Sequence, residues 1–367
     1  MTDALIPLHR PVVWGNEIEY VNEAIRSGNP ASGPFVERFE QALAERLKVK
    51  HVVAVSSGTA ALHLALLVLG AAPGVDVLVP DLTFAATANA VRYCRLRPVF
   101  IDVEPVYWQM DPEKVKEYLS RKQPYYRILL PVDLLGHPSN RWALRSLAVD
   151  YGCAYLEDRA ESLGTEVQHD PGIRLACFSF NGNKVITAGG GGAVATDSAQ
   201  LAETVRMLRD QGKDPQDPGG HWVVGYNYRM PNMMAALGLA QLENLDDILA
   251  NKRQIAEYYT QGLTGLETVD LPKVAPGVSS NWWLYTVLVP EEALGRLLKA
   301  FEEARIEVRR MFRPLHTLKA FWDCDNGPIT HSPKIYARAL CLPSGAGLTT
   351  EDQGRVVEVL VRELKVG

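Results

Sequence analysis

A lysine within a glycine-rich stretch is the residue of this chain best suited to covalent chemistry. The stretch "ACFSFNGNKVITAGGGGAVATD" runs from Ala176 to Asp197, with Lys184 at its centre. Its two ends are typical of short strands, whereas "NGN" and the four glycines are typical of sharp turns. Glycines beside the lysine remove side-chain bulk that would keep a flat ligand away. The pattern indicates either a Schiff-base lysine under a planar cofactor or a solvated lysine at the tip of a hairpin.

Two acidic residues follow another short apolar segment. Asp158 ends the predicted strand "CAYLED", and Glu161 comes three residues later. A carboxylate at the end of a strand could hold a protonated pyridine nitrogen, which makes the ring an electron sink. The alternative is a helix cap with a second acid beside it.

Two further strand ends carry groups that could bind a phosphorylated, planar molecule. In "VSSGTAAL", Gly58 and Thr59 lie where a strand is predicted to lead into a helix. Backbone N–H groups, hydroxyls and the helix dipole could hold a phosphate there, although Ser and Thr at this place often serve only as N-caps. Phe84, in "PDLTFAATANA", could stack on a flat ring or belong to the core.

The segments between these residues predict how they are positioned. From residue 51, short apolar runs such as "HVVAV", "DVLVPD" and "RPVFIDV" alternate with helical patterns. This alternation is typical of a parallel sheet covered by helices on both faces, with functional loops at the carboxyl ends of the strands. We therefore expect an α/β fold with the candidate groups at those ends.

The chain is predicted to divide near residue 250. Residues 1–250 would form a large domain, with two amphipathic helices in an N-terminal arm over residues 1–50. A long helical pattern with a possible break, "MMAALGLAQLENLDDILANKRQIAEYYTQGL", crosses the boundary. Residues 251–367 predict a smaller α+β domain that closes over the large one. The segment "KDPQDPGGHWVVGYNYRMPN" predicts a long functional loop.

A basic segment, "RRMFRPLH", lies in the C-terminal part of the chain. It presents Arg309, Arg310, Arg313 and His316. These side chains are either a solvated face or contacts to an anionic substrate.

Composition argues against several classes of function. The 367 residues are 47% hydrophobic and carry a formal net charge of −5, which gives no attraction for nucleic acid or an anionic membrane. The N-terminus has no signal-peptide pattern, and no apolar run is long enough to span a bilayer, so a cytoplasmic location is expected. The five cysteines include no CxxC pair, so we expect a reducing compartment and no metal site.

Together, the lysine, the acid, the phosphate seat and the aromatic ring meet the requirements of a pyridoxal phosphate enzyme. The sequence also resembles the DegT/DnrJ/EryC1/StrS sugar aminotransferases over nearly its whole length. The resemblance rests on segments such as "AVSSGTAALHLAL", "LEDRAESLG", "FSFNGNKVITAGGGG", "GYNYRM" and "LPSGAGLTTED". It implies fold type I, with a mainly parallel seven-stranded sheet in the large domain, and a homodimer.

The resemblance implies a role for each candidate residue. Lys184 would form the Schiff base and carry protons, and Asp158 would pair with the pyridine nitrogen. The other cofactor contacts would be Gly58, Thr59 and Ser179 at the phosphate, Phe84 on the ring, Glu161, and Asn227 reaching from one subunit into the site of the other. We expect the diphosphate of a nucleotide-linked substrate near Asn29, Arg310 and His316.

Two positions depart from the family's usual pattern. Gly190 stands where many members have an acidic residue, and Glu161 stands where many have Gln or His. The versions "AESLG" and "NGNK" are similar to one branch of the family, which aminates C4 of UDP-linked 4-keto-6-deoxy-N-acetylhexosamines.

The implied reaction transfers the amino group of L-glutamate to the keto carbon of a nucleotide-linked 4-keto-6-deoxy sugar. A GDP-perosamine-type aminotransferase is the alternative within the family. A sugar 3-dehydratase would have His in place of Lys184, and a non-catalytic cofactor-binding sensor would lack the lysine or the acid. The sequence leaves open the nucleotide, the axial or equatorial position of the amine, the pathway, and assembly beyond a dimer.

Overall fold

The computed structural model describes residues 4–121, 125–214 and 216–365. Its helices are α1 (Glu17–Arg26), α2 (Pro34–Leu47), α3 (Gly58–Val68), α4 (Ala85–Tyr93), α5 (Pro112–Ser120), α6 (Arg141–Asp150), α7 (Ala199–Arg209), α8 (Asn232–Glu243), α9 (Leu245–Leu263), α10 (Glu291–Glu303), α11 (His331–Arg338) and α12 (Thr350–Lys365).

The strands are short, as expected for an α/β protein. They are β1 (His51–Val55), β2 (Asp76–Pro80), β3 (Arg97–Ile101), β4 (Ile128–Leu129), β5 (Ala154–Tyr155), β6 (Glu157–Asp158), β7 (Glu166–Val167), β8 (Leu175–Ser179), β9 (Gly192–Thr196), β10 (Lys213–Asp214), β11 (Asp217–His221), β12 (Val278–Ser279), β13 (Thr286–Leu288), β14 (Arg309–Arg310), β15 (Asp325–Asn326) and β16 (Ala339–Cys341).

Two sets of strands join into one large mixed sheet. One set has the order β1-β9-β8-β6, and the other has the order β15-β3-β2-β4-β5. They meet where Val132, just after β4, pairs in parallel with Asp158. Because only Leu156 separates β5 from β6, these two segments continue one another. The strand β9 is antiparallel to both its neighbours, whereas the pairs formed by β2, β3, β4, β5, β6 and β8 elsewhere are parallel. The prediction of a mainly parallel sheet is confirmed, but the described residues give it eight strands and not seven, because the short β15 adds an edge strand beside β3.

The apolar runs of the sequence explain why this sheet is central. The residues of β2 and β9 are buried throughout, which is typical of strands covered on both faces. On one face the sheet packs against α3, whose segment "GTAALHLALLV" is apolar nearly all round and correspondingly buried.

The C-terminal part forms a second, antiparallel sheet of order β13-β16-β14. The amphipathic helices α10 and α12 bury Leu297, Phe301, Val356 and Leu360 in the core beside it. This arrangement agrees with the predicted smaller α+β unit.

Residue 250, the predicted boundary, lies inside the helix α9 and not in a linker. The predicted break occurs earlier, at Asn244, between α8 and α9. Ile248 packs with the core of the large domain, whereas Ile255 and Tyr259 pack with the C-terminal core. One helix therefore contributes to both cores.

A C-terminal segment returns to the large domain. The strand β15 pairs in parallel with β3, and Leu315 and Phe321 pack in the core beneath the large sheet. The backbone N–H groups of residues 330–332 donate to the carboxylate of Asp102. One segment of the C-terminal part thus packs against the large domain.

Three local expectations need correction. The segment predicted as a long loop before Asn227 contains the short hairpin β10–β11. The helix α11 and the strand β16 were not predicted. Within the three described ranges, no helix has both the length and the apolar character needed to cross a bilayer.

Candidate active site

The loops at several strand ends surround one cavity of about 260 Å³. Its walls come from the start of α3, the start of α4, the turn after β6, the connection between β8 and β9, and the C-terminal part of the chain. The lining residues used below are Gly58, Thr59, Phe84, Thr87, Asp158, Glu161, Ser179, Lys184, Gly190, Trp283, Arg309 and Phe312. The structure therefore brings the predicted lysine, acid, phosphate seat and ring together.

Lys184 lies in the connection between β8 and β9, where its backbone N–H donates to Asn181 O at 2.9 Å. The side chain is 13% exposed, so the alternative of a solvated lysine at a hairpin tip is wrong. Its Nζ lies 3.2 Å from Glu161 Oε1 and 4.0 Å from the centre of the Trp283 ring. The amine is thus held between a carboxylate and an aromatic face.

Asp158 ends β6 and is fully buried at the cavity wall. Its Oδ2 accepts from Thr87 Oγ1 at 2.8 Å, and its Oδ1 accepts from the backbone N–H of Ala160 at 3.1 Å. Burial raises the pKa of the carboxyl to about 6, because the charged form loses its hydration. Residues 160 and 161 form a turn, so the alternative of a helix cap does not apply. A cationic group in the cavity would favour the ionised form of Asp158.

Glu161 contacts the lysine and is held in place by backbone. Its Oε1 accepts from Lys184, and its Oε2 accepts from the backbone N–H of Leu135 at 2.9 Å. Leu135 has φ 57° and ψ 18°, a left-handed conformation that is unfavourable for leucine. This local strain aims a backbone donor at the carboxylate.

The N-terminal end of α3 contains both an N-cap and polar groups that face the cavity, so it fits both interpretations of the segment "VSSGTAAL". Ser57 is the N-cap, since its Oγ accepts from the backbone N–H of Ala60 at 3.0 Å. Gly58 and Thr59 follow it and line the cavity, where the helix dipole is positive. A Cβ at Gly58 would lie 2.7 Å from Ser179 Cβ, so glycine is needed for this close approach. The result is a small polar pocket at a helix start.

Aromatic rings and an arginine form the wall near the opening. Phe84 is 55% exposed, and its ring centre lies 5.5 Å from that of Phe312. The interpretation of Phe84 as a core residue is wrong. Arg309 packs its guanidinium over the Phe312 ring at 5.0 Å, and its buried Nε has no hydrogen-bond partner in the described part of the chain. A positive charge therefore faces a cavity that otherwise contains two acids and one lysine.

The three predicted substrate contacts are not brought to this cavity. Arg310 packs over the Tyr336 ring at 4.3 Å and donates to Tyr336 O. His316 Nδ1 lies 2.7 Å from Asp81 Oδ2. Asn29 is exposed, and its carbonyl accepts from Asn232 Nδ2. The same basic segment instead sends its first arginine, Arg309, into the cavity.

Asn227 lies outside the cavity of its own chain. It is exposed and pairs with Asp210 through a backbone bridge. The preceding residues form an apolar tip, with Trp222 70% and Val224 86% exposed. The predicted contact of Asn227 with a partner's cofactor stays a prediction.

Sequence reasoning missed several residues of the site, notably a tryptophan and an arginine. Trp283 was assigned to a strand, but it lies in the turn before β13 and closes the cavity beside Lys184. Arg309 was grouped with three other basic residues, and the sequence contains no signal that separates it from Arg310. Gly190, the departure noted above, also lines the cavity, and a Cβ there would lie 2.7 Å from Met234 Cε.

The residues present fit the cofactor that the sequence resemblance implies. A buried carboxyl with a raised pKa suits the nitrogen of a pyridinium ring, and a nearly buried primary amine suits an aldehyde. Gly58 and Ser179 approach each other closely at the positive end of α3, where backbone N–H groups and a hydroxyl suit a phosphate. Asp158, Lys184 and the Gly58–Ser179 contact occupy different sides of one cavity.

Comparisons with known proteins agree with this geometry. The sequence profile of the DegT/DnrJ/EryC1/StrS aminotransferase family matches residues 13–361. A Bacillus subtilis (strain 168) protein provisionally named pyridoxal phosphate-dependent aminotransferase EpsN is 39% identical, over 97% of this chain and 95% of that protein. GDP-perosamine synthase of Caulobacter vibrioides is 36% identical, over 97% of each chain. The crystal structure of S. venezuelae DesV in complex with a ketimine intermediate superposes with a TM-score of 0.88 at 32% identity, covering 95% of this chain and 94% of that one.

Proposed function

Because the chain belongs to the DegT/DnrJ/EryC1/StrS aminotransferase family, it is a pyridoxal phosphate-dependent sugar aminotransferase, and we propose that it aminates C4 of a nucleotide-linked 4-keto-6-deoxy sugar. The amino donor is L-glutamate, and the sugar is of the UDP-N-acetyl type. The observation that carries the proposal is the convergence of Lys184, Asp158 and the start of α3 on one cavity.

The residues of the site divide the work of holding the cofactor. Lys184 is the attachment residue, and Asp158 pairs with the ring nitrogen. Gly58, Thr59 and Ser179 hold the phosphate, while Phe84 covers the ring. When bound, pyridoxal phosphate supplies an electron sink that stabilises negative charge at the carbon losing its proton.

Lys184 is also the proton carrier. Its Nζ lies within the cavity, 3.2 Å from Glu161 Oε1, and would remain there once released from the cofactor. As a free amine, Lys184 would accept the proton from the α carbon of L-glutamate and deliver it to the carbon of the cofactor that takes up the amino group. With the sugar it would move a proton the opposite way, from that cofactor carbon to C4 of the sugar. Asp158 would meanwhile keep the ring nitrogen protonated, because each of its oxygens accepts a hydrogen bond and the residue is only 4% exposed. The aromatic wall of Phe84 and Phe312 limits access of water.

Arg309 receives an anionic group of a substrate. Its guanidinium lines the cavity, and an arginine can bind a carboxylate or a phosphate through two parallel hydrogen bonds. Asn29, Arg310 and His316 remain predicted substrate contacts, although their side chains lie elsewhere in the structure of the single chain.

The active assembly is a homodimer in which Asn227 of each chain completes the site of the other. Supporting this proposal, Asn227 lies outside its own cavity and beside the exposed apolar tip Trp222–Val224. Mixing Lys184→Ala and Asn227→Ala chains tests it. Exchange of subunits should restore about a quarter of the wild-type activity, since only mixed dimers contain an intact site. Absence of recovery in mixed dimers isolated by two different tags would contradict the shared site.

A GDP-linked sugar is the second candidate substrate, favoured by the 36% identity to the GDP-perosamine synthase of Caulobacter vibrioides. The deciding experiment offers UDP- and GDP-linked 4-keto-6-deoxy sugars, each with L-glutamate labelled on its amino nitrogen, and analyses the sugars by mass spectrometry. Transfer of the label to the UDP-linked N-acetyl sugar supports the proposal, and transfer to the GDP-linked sugar alone selects the alternative. Failure to label either sugar would overturn both.

A further inference from the structure

The turn formed by residues 281–283, in the C-terminal part of the chain, contacts two segments of the large domain. These are the turn after β6, which carries Glu161, and the connection that carries Lys184. Asn281 Nδ2 donates to the carbonyls of Glu161 and Leu163 at 2.8 and 2.9 Å, and its Oδ1 accepts from the backbone N–H of Trp283 at 2.9 Å. Between them, Trp282 adopts φ 51° in the left-handed region, which reverses the chain. The geometry turns the Trp283 side chain toward the lysine.

Trp283 contacts the lysine segment at two points. Its Nε1–H donates to the carbonyl of Asn183, the residue before Lys184, at 2.6 Å. The face of its ring lies 4.0 Å from Lys184 Nζ. The side chain is 1% exposed, so neither contact competes with water. The ring also stacks against Phe312, with ring centres 6.4 Å apart, and lies 6.0 Å from the guanidinium carbon of Arg309.

We propose that Trp283 is a positioning residue for Lys184. The indole N–H fixes the backbone immediately before the lysine, and the ring face holds Nζ beside Glu161, so that the amine stays directed into the cavity. Without the first contact, the segment "NGNK" has two asparagines and a glycine in a turn and gains conformational freedom. Without the second, Nζ loses the aromatic surface that limits where it can lie in the cavity.

The inference rests on the proposed assignment of Lys184 as the attachment residue. The experiment tests this assignment separately from the positioning role of Trp283. Purified apoprotein is mixed with pyridoxal phosphate, the rate of cofactor attachment is followed by absorbance, and borohydride then fixes the attached cofactor for peptide mass spectrometry. In the wild type the modified peptide should contain Lys184. Modification of another lysine would refute that assignment, whatever the result for Trp283.

The informative variant is Trp283→Phe, which keeps an aromatic face and removes the N–H donor. We expect attachment to be slowed about tenfold, and kcat to fall by about the same factor while KM for L-glutamate changes less than about twofold. Trp283→Leu, which also removes the ring face, should be slower by a further factor of about three to ten.

Trp282→Phe is the matched control, because it makes the same chemical change one residue away, on a side chain that packs against Tyr285 and does not line the cavity. It should leave attachment and kcat within about twofold of the wild type. Equal slowing in Trp282→Phe and Trp283→Phe would show that only general packing is affected and would overturn the proposal.

Hydrogen exchange of the peptide around residues 181–186 supplies a second readout. The proposal requires faster exchange there in Trp283→Phe, with unchanged exchange in β1 and β9. Wild-type attachment and exchange rates in Trp283→Phe would exclude the positioning role. If both Trp283 variants fail to fold, the variant Asn281→Ala tests the role, because it removes the side chain that holds the turn before Trp283. It should raise the rate of hydrogen exchange at residues 181–186. An unchanged rate would contradict the proposal.

Discussion

Lys184 and Lys252 are both shielded from solvent, but their surroundings are opposite in kind. The side chain of Lys184 is 13% exposed and lies at a cavity, between the carboxylate of Glu161 and the ring of Trp283. Lys252 is 1% exposed and donates to two backbone carbonyls, those of Trp283 at 3.3 Å and Ser344 at 2.5 Å. Burial lowers the pKa of Lys252 to about 7.

The difference shows that burial and a perturbed pKa do not by themselves mark a catalytic lysine. Lys252 is the more deeply buried of the two and has a lowered pKa, yet it does not line the cavity. Its amine instead joins two backbone segments through hydrogen bonds to their carbonyls. Lys184 has an ionic partner and open space on one side. Access to a ligand-sized volume, and not the degree of burial, separates the chemical lysine from the structural one.

The largest expected effect comes from removing each lysine in turn. Lys184→Ala should reduce turnover by at least about a thousandfold, because the attachment group and the proton carrier are lost together. Lys252→Met should keep turnover within about tenfold of the wild type, since the residue does not touch the cavity. The measurement is the rate at which L-glutamate converts the cofactor spectrum, which needs no knowledge of the sugar. A folded Lys252→Met protein as inactive as Lys184→Ala would break the comparison.

Much of the fold and part of this site were predictable from sequence. The residues Gly58, Phe84, Asp158 and Lys184 each follow or adjoin a short apolar strand, and parallel strands bring their ends to one edge. The local pattern of short apolar strands and the turns that follow them was therefore enough to locate these residues. It could not locate Trp283 or Arg309, because their positions depend on how the C-terminal part folds back over the large domain.

The same limit applies to the predicted division of the chain near residue 250. The helical pattern across α9 is continuous, and only tertiary packing assigns Ile248 to one core and Ile255 to the other. Likewise, β15 is two residues long and becomes a strand only through its pairing with β3. No local signal in the sequence predicts such a contact.

An effect of intermediate size is expected in the pH dependence of folding stability, to which Asp158 at the cavity and Lys252 outside it should contribute with opposite signs. The unfolded chain releases the proton of Asp158 near pH 4 but the folded apoprotein keeps it to about 6, so this contribution to stability is lost as the pH rises between those values, by about 3 kcal/mol. Lys252 is deprotonated in the folded protein above about pH 7, while the unfolded chain holds its proton to about 10, so stability rises by about 2 kcal/mol between pH 7 and 9.

Urea unfolding of the apoprotein at a series of pH values measures both contributions. Asp158→Asn should remove the decline between pH 4 and 6, and Lys252→Met should remove the rise between pH 7 and 9. Adding pyridoxal phosphate should flatten only the decline, because a ring cation can reach Asp158 and cannot reach Lys252. A cofactor-dependent change in the Lys252 contribution would show that this lysine communicates with the cavity.

The smallest expected effect concerns two adjacent arginines that repeat the contrast between the lysines. Arg309 lines the cavity, whereas Arg310 packs over the Tyr336 ring and donates to the Tyr336 carbonyl; the Nε of each is buried without a hydrogen-bond partner in the described part of the chain. Alternation of side chains along β14 places them on opposite faces of the strand. Arg309→Ala should therefore raise the KM of an anionic substrate about tenfold, the value of one charge-assisted hydrogen bond, and Arg310→Ala should change it less than about twofold. Steady-state kinetics with L-glutamate and the sugar varied separately identifies which substrate Arg309 binds. Should Arg310→Ala raise the KM of the nucleotide sugar instead, the original expectation for Arg310 would stand, and the contrast drawn from the single chain would fail at this strand.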